Sequence, residues 1–300
     1  MYNMDVLFET VSKRGNVCVG LDTTIEYIPK NEHCSSRAEA VLAYNKAIIN
    51  ATSDIAACYK VQIACYEEMG LEGLDVYSKT LKMLRGQGSL VIADIKRGDI
   101  ADTASRYARA HFEGDFEADF VTLSPYLGMD SIEPWLEWAD KKGKGAFILM
   151  RTSNKGRQDF ECLTLKDGSR KLYDAVGEEL SKLAAARTGK YGYGAFGAVA
   201  GADSQTDEER KEAEEIRKRY GNLFFLIPGF GAQGGAAGNA ALFLKDGNGG
   251  VVNASRSILK AWQDRALDPA KIDNDAAAQA AREAAIEMRD SILKALHVSI

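Results

Sequence analysis

The chain has 300 residues, 46% of them hydrophobic and 27% charged, which is enough apolar surface for one large globular domain or two small ones. A net charge of −5 leaves no electrostatic footprint for nucleic acid or an anionic membrane, so neither is expected as a partner. No stretch approaches the roughly 18 consecutive apolar residues of a membrane span, and no basic leader precedes an apolar run, so a soluble, unexported, cytoplasmic protein is expected.

Short apolar runs at 17–21, 57–63, 90–95, 120–123, 146–150, 194–200, 223–227 and 250–253 read as strands. Between them lie amphipathic or Ala-rich stretches, among them 37–51, 73–85, 101–112 and 131–140, which read as helices. Eight uninterrupted strand–helix units predict a closed (β/α)8 TIM barrel, a single α/β domain over residues 1–300. Thr206 and Glu209 form a capping box ahead of a charged helix whose Glu214–Lys218 and Glu215–Arg219 pairs mark a solvated outer face. Residues 275–296, with Ile286, Met288, Ile292 and Leu296 near helical spacing, predict a closing helix packed on the barrel wall. The long connections 154–170 and 228–239 follow strands five and seven, where a barrel builds its site, and are candidate walls or lids.

The run ADIKRGDI at 93–100 carries the densest chemistry. Asp94 and Lys96 stand two apart at the end of an apolar strand, so the pleat turns both to one face. Burying such a pair costs free energy unless hydrogen bonds compensate, which makes a chemical role a candidate beside a structural salt bridge. The other strand ends supply Asp22, Lys60, Asp99, Ser153, Gln233 and Arg256. Taken singly, Asp22 fits a turn cap, Lys60 a snorkelling cation and Ser153 a loop hydroxyl. Glycines 229, 231, 234 and 235 allow close backbone approach to an anion, and Arg256 is placed at the start of the last helix. Together they predict a phosphorylated small-molecule substrate.

Cys18, Cys34, Cys58, Cys65 and Cys162 are odd in number and lack metal-type spacing, which predicts reduced thiols. His33, His111 and His297 offer neither a zinc motif nor a serine triad, so no metal site is expected.

The runs VGLDT (19–23), YKVQIACYE (59–67), ADIKRGDIADT (93–103), ADFVTLSPYLGMDSIEPW (118–135), RTSNKG (151–156), IPGFGAQGG (227–235) and SRSIL (255–259) resemble orotidine 5'-phosphate decarboxylase, in its bacterial long-chain branch. The resemblance implies a cofactor-free, metal-free homodimer that converts orotidine 5'-phosphate to uridine 5'-phosphate. It implies Lys96 as proton donor to the pyrimidine C6, Asp94 beside the substrate carboxylate, and Asp99 reaching into the partner's site. Asp22 and Lys60 would hold ribose hydroxyls with help from Thr103 of the neighbouring chain, Ser153 the pyrimidine, and Gln233 and Arg256 the phosphate. Thr152, Ser255 and the lack of tyrosine in 230–240 depart from many relatives. Carboxylates flanking Lys96 favour an ammonium, which suits a general acid and disfavours Schiff-base chemistry. A magnesium-dependent keto-sugar-phosphate decarboxylase resembles the chain at strand three and stands as the alternative; a nucleotide-binding sensor is the non-enzyme reading.

Overall fold

The computed structural model describes residues 1–30, 34–166, 168, 170–231, 237–265 and 272–298. Among them the strands are β1 (Val17–Gly20), β2 (Cys58–Gln62), β3 (Val91–Arg97), β4 (Phe120–Leu123), β5 (Gly145–Arg151), β6 (Phe196–Ala200), β7 (Phe225–Ile227) and β8 (Gly250–Ala254). Each pairs in parallel with the next, and β8 returns to β1, closing the predicted barrel. Every predicted strand is present, with ends shifted by at most two residues.

The helices are α1 (Asn3–Arg14), α2 (Arg37–Thr52), α3 (Ala64–Glu67), α4 (Gly70–Gly86), α5 (Ala101–Phe112), α6 (Glu133–Lys142), α7 (Leu172–Ala186), α8 (Asp207–Arg219), α9 (Ala237–Ala241), α10 (Arg256–Leu259), α11 (Ala261–Asp264) and α12 (Asn274–Val298). The capping box at Thr206 is formed, with Glu209 N–H donating to Thr206 Oγ1 at 3.2 Å and Thr206 N–H donating to the Glu209 carboxylate. One expectation is corrected: Arg256 does not begin the last helix. It opens the four-residue α10, and α11 precedes the long closing helix α12.

Two apolar layers follow from the strand period. Residues facing outward, such as Val19, Val61, Val91, Val121 and Ile148, pack beneath the helices in one core. Those facing inward, Cys18, Cys58, Ile92, Phe120, Phe147, Phe224 and Val251, fill the lower barrel in a second core. Helix α1, which the strand–helix count did not anticipate, seals that core from below with buried Met4, Leu7 and Val11. The helical spacing of those three residues is what makes one face of α1 apolar. No helix of the described residues is long and apolar enough to cross a membrane.

Candidate active site

Two residues above the lower core, one side of the barrel interior turns polar. Cys58 is followed by Lys60 and Gln62, Ile92 by Asp94, Phe120 by Thr122, and Val251 by Asn253; the period of two keeps each on the inner face. On the opposite side the step is apolar to apolar, from Phe147 to Leu149 and from Phe224 to Leu226. The result is a cavity of about 290 Å3 at the C-terminal ends of the strands, charged on one wall and apolar on the other. A larger hollow of about 900 Å3 lies at the N-terminal end, between the end of α1, residues 246–248 and α12. It is remote from the strand C-terminal ends, so its size gives it no claim to the chemistry.

Asp94 is the centre of the charged wall. Its Oδ1 accepts from Lys96 Nζ at 2.6 Å and Thr122 Oγ1 at 2.8 Å; its Oδ2 accepts from Lys60 Nζ and Gln62 Nε2, both at 2.9 Å. Lys60 Nζ also donates to Asp22 Oδ1 at 3.0 Å. Asp22, Lys60, Asp94 and Lys96 thus form a string of alternating charge. Thr122 uses its whole bonding capacity, since its hydroxyl donates to Asp94 and accepts from the backbone N–H of Ile95 at 3.0 Å and Lys96 at 2.9 Å.

Lys60 and Asp94 are buried, with 5% and 4% of their surface exposed. Burial opposes ionisation of Asp94, but Lys60 and Lys96 outweigh it and hold the carboxyl far below its usual range. Burial likewise opposes the Lys60 charge, and Asp22 and Asp94 outweigh it, so its ammonium is held well above the usual lysine value.

Lys96 lies on this string without being locked away, its side chain about half exposed. Its backbone has φ +44°, in the left-handed region that a residue with a Cβ enters at a cost of roughly 1 to 3 kcal/mol. The β3–β4 register slips between Ala93 and Arg97 around it. Asp94 and Lys96 therefore meet across a strand irregularity held by Thr122, not across a plain pleat.

Of the predicted residues, Asp22, Lys60, Asp94, Lys96 and Ser153 line one cavity. Asp99 and Thr103 do not: the Asp99 carboxylate accepts from Ile100 N–H at 2.9 Å beyond the strand end, and Thr103 is exposed on the first turn of α5. Arg256 is exposed at the start of α10. Gln233, Gly234 and Gly235 lie outside the described residues. Sequence reasoning missed Gln62, Thr122 and Asn253; Thr122 and Asn253 stand two residues above the inward apolar Phe120 and Val251, and Gln62 stands two above the inward Lys60. The Ser255 departure is accommodated by Gly20, where a Cβ would stand 1.9 Å from Ser255 Oγ.

A family model described as "Orotidine 5'-phosphate decarboxylase / HUMPS family" matches residues 15–267, which include the barrel strands and the charged string. The chain belongs to that family. Within the orotidine 5'-phosphate decarboxylase / HUMPS family, it is 53% identical over 294 residues to orotidine 5'-phosphate decarboxylase of Clostridium perfringens strain SM101, covering 97% of this chain and 98% of that protein. The protein of the same name from Clostridium acetobutylicum is 50% identical over 296 residues, covering 98% and 99%. The solved structure of Leishmania donovani OMP decarboxylase superposes with a TM-score of 0.72 at 32% identity, covering 99% of each chain.

Proposed function

We propose that this chain removes carbon dioxide from orotidine 5'-phosphate to give uridine 5'-phosphate, a step of de novo pyrimidine synthesis, with no cofactor and no metal. The observation that carries the reading is the Asp22–Lys60–Asp94–Lys96 string at the barrel mouth, in a chain about half identical along nearly its whole length to proteins of that name. The same relatives disfavour a keto-sugar-phosphate decarboxylase.

In the proposed step the C6–carboxylate bond breaks and its electron pair stays on C6. The Lys96 ammonium delivers a proton to that carbon, and the amine regains one from solvent. A fixed cation 4 Å from a developing unit charge is worth about 4 kcal/mol at an effective dielectric near 20, part of the roughly 8–23 kcal/mol that enzymes supply. Asp94, already ionised and bonded on four sides, would stand beside the substrate carboxylate and holds Lys96 in place. Asp22 and Lys60 are proposed to hold ribose hydroxyls and Ser153 the pyrimidine, whose apolar face would meet Leu149, Val199, Leu226 and Pro228. Gln233 and Arg256 are proposed to take the phosphate, supported by the approach of the β7 loop to α10: a Cβ at Gly231 would lie 3.1 Å from Ser257.

Residues 1–300 are read as one barrel domain acting as a homodimer. Asp99 and Thr103 sit outside their own cavity on a rim that also exposes Ile100, Tyr126 and Leu127, as expected for an apolar surface that a second copy covers. A cytoplasmic location fits the odd cysteine count, since a reducing compartment keeps thiols.

The test follows loss of orotidine 5'-phosphate by ultraviolet absorbance in EDTA, for the unaltered chain and for Lys96→Ala. Activity that needs magnesium, or that survives the substitution, rejects the reading.

A further inference from the structure

The segment between β5 and α7 is fastened to the barrel by buried ion pairs. Arg157, 5% exposed, donates to Asp203 and to Glu209 Oε1, the latter at 2.7 Å. Arg151, fully buried at the end of β5, donates to Asp203 Oδ1 at 3.2 Å, Glu212 Oε2 at 3.0 Å and Gly201 O at 2.9 Å. Lys171 and Tyr173, at the far end of the segment, both bond Glu212 Oε1. Ion pairs this deep cost desolvation, so they hold a geometry more than they add stability.

Within this segment one carboxylate, that of Glu161, bonds a residue of the cavity wall. Glu161 Oε2 accepts the backbone N–H of Thr152 at 2.8 Å, and Glu161 Oε1 accepts from Thr152 Oγ1 at 2.7 Å. Thr152 Oγ1 is also 2.7 Å from the Asn154 side-chain amide. A hydroxyl has one proton, so both contacts are satisfied when that proton goes to Glu161 and the Asn154 amide presents its NH2 to Thr152. Thr152, Ser153 and Asn154 all line the cavity. Behind Ser153 stands Gly201, where a Cβ would lie 2.7 Å from the Ser153 Cβ. Ser153 is thus held between a carboxylate that grips the preceding residue by its backbone N–H and its hydroxyl and a backbone that admits no larger side chain.

We infer that Glu161 is a positioning residue for the ring-binding serine: by clamping Thr152 it fixes where Ser153 meets the pyrimidine. This gives the β5–α7 segment a role in the reaction. The inference rests on the decarboxylase reading, in which Ser153 holds the base. Glu161 touches no reacting atom; it acts through the peptide that carries Ser153. Near-attack geometry is sensitive to displacements of about 1 Å, which can cost about a hundredfold, so a carboxylate one residue removed can set the rate.

The experiment is a double-substitution cycle read in kcat and KM. Glu161→Ala is expected to lower kcat/KM about tenfold or more, the scale of a charge-assisted hydrogen bond, chiefly through kcat. Glu161→Gln, whose amide can accept the Thr152 N–H and donate to the Thr152 hydroxyl, should restore most of it. In a Ser153→Ala background Glu161→Ala should change kcat/KM less than about twofold, because the group it positions is gone. Equal losses in both backgrounds would overturn the inference and leave Glu161 a structural residue. If Glu161→Ala fails to fold, the same cycle with Thr152→Val, which removes the hydroxyl that Glu161 grips, against Ser153→Ala decides it, and additive effects there also overturn it. An unaltered chain that releases no carbon dioxide from orotidine 5'-phosphate rejects the decarboxylase reading itself, a separate result from additive effects in an active enzyme.

Discussion

Lys60 Nζ and Asp94 Oδ2 lie 2.9 Å apart in the barrel interior, both nearly buried and each bonded to a further charge. Removing one member of such a pair strands the other. Lys60→Ala should destabilise the fold by about 3 to 5 kcal/mol, read from urea unfolding curves, because Asp22 and Asp94 lose the cation between them. The pH dependence has a definite sign. Asp94 has a folded pKa below its ordinary 3.8, so its contribution is full above that value and is lost as pH falls through it. Lys60 has a folded pKa above its ordinary 10.5, so its contribution is full below that value and fades as pH rises beyond it. The difference between unaltered and substituted chains should therefore be level from about pH 5 to 9 and shrink in acid. A difference that grew in acid would contradict this pairing.

Lys96 differs from Lys60 in exposure and in consequence. With its side chain half open to solvent, Lys96→Ala should leave thermal stability within about 1 kcal/mol, while turnover falls about a thousandfold or more from loss of the ammonium. Calorimetry with uridine 5'-phosphate should still register binding, because the proposed ribose, ring and phosphate contacts are intact. Stability and activity falling together would assign Lys96 to the scaffold instead.

The barrel and its charged wall were legible for one reason: strands alternate, and a charge two residues beyond an apolar inward residue has nowhere to point but the mouth. Lys60 above Cys58 and Asp94 above Ile92 announce themselves this way. Thr122 above Phe120 obeys the same rule, yet a threonine in a strand is ordinary, so its grip on Asp94 and on two backbone amides was silent. Helix α1 has a readable apolar stripe, but only the assembled barrel shows what that stripe covers. Glu161 gave no signal, because its partner lies nine residues away in an irregular segment where no period links the two. Asp99 was readable as a strand-end carboxylate, but its service to a neighbouring copy, like Thr103 altogether, came only through resemblance, since neither borders its own chain's cavity.

His111 gives a second pH-dependent prediction, apart from the site. It is buried on α5, with Nδ1 unpartnered among the described residues and its ring stacked at 6.0 Å on Phe116. Burial, with the Arg97 charge added, lowers its pKa from 6.5 to about 4. The unfolded chain therefore binds a proton that the folded chain refuses across that interval, and stability falls as pH drops from 6.5 to about 4. The loss amounts to about 3 kcal/mol by the time both states are protonated. Unfolding free energies of His111→Phe should lack this component; an acid profile parallel to that of the unaltered chain would exclude His111 as its source.

Gly201 packs directly behind Ser153. A methyl there would fall 2.7 Å from Ser153 Cβ and 2.8 Å from Ser153 N, closer than real Cβ contacts, so the Ser153 backbone must move. Gly201→Ala should lower stability by about 1 to 3 kcal/mol through overpacking. Its kcat/KM should fall about a hundredfold through displacement of Ser153. A crystal structure of the variant should show Ser153 shifted into the cavity; an unmoved Ser153 with normal turnover would mean that the strand-six end yields in its place.

The positions of Asp99 and Thr103 bear on how many chains make one site. Both follow β3 on the same rim as exposed Ile100, and neither borders the cavity that holds Lys96 of the same chain. If Asp99 serves the neighbouring copy, Asp99→Ala and Lys96→Ala chains are each inactive alone but complementary together. In a mixed dimer one site takes Lys96 from the first chain and Asp99 from the second, so it is intact, while the other site lacks both. Random exchange at equal amounts makes half of the dimers mixed, and half of their sites work, so activity should recover to about one quarter of the unaltered value. Recovery should follow subunit exchange: absent at the moment of mixing and complete after mild denaturation and refolding together. No recovery after refolding would place Asp99 in the service of its own chain and leave the exposed rim without a part in catalysis.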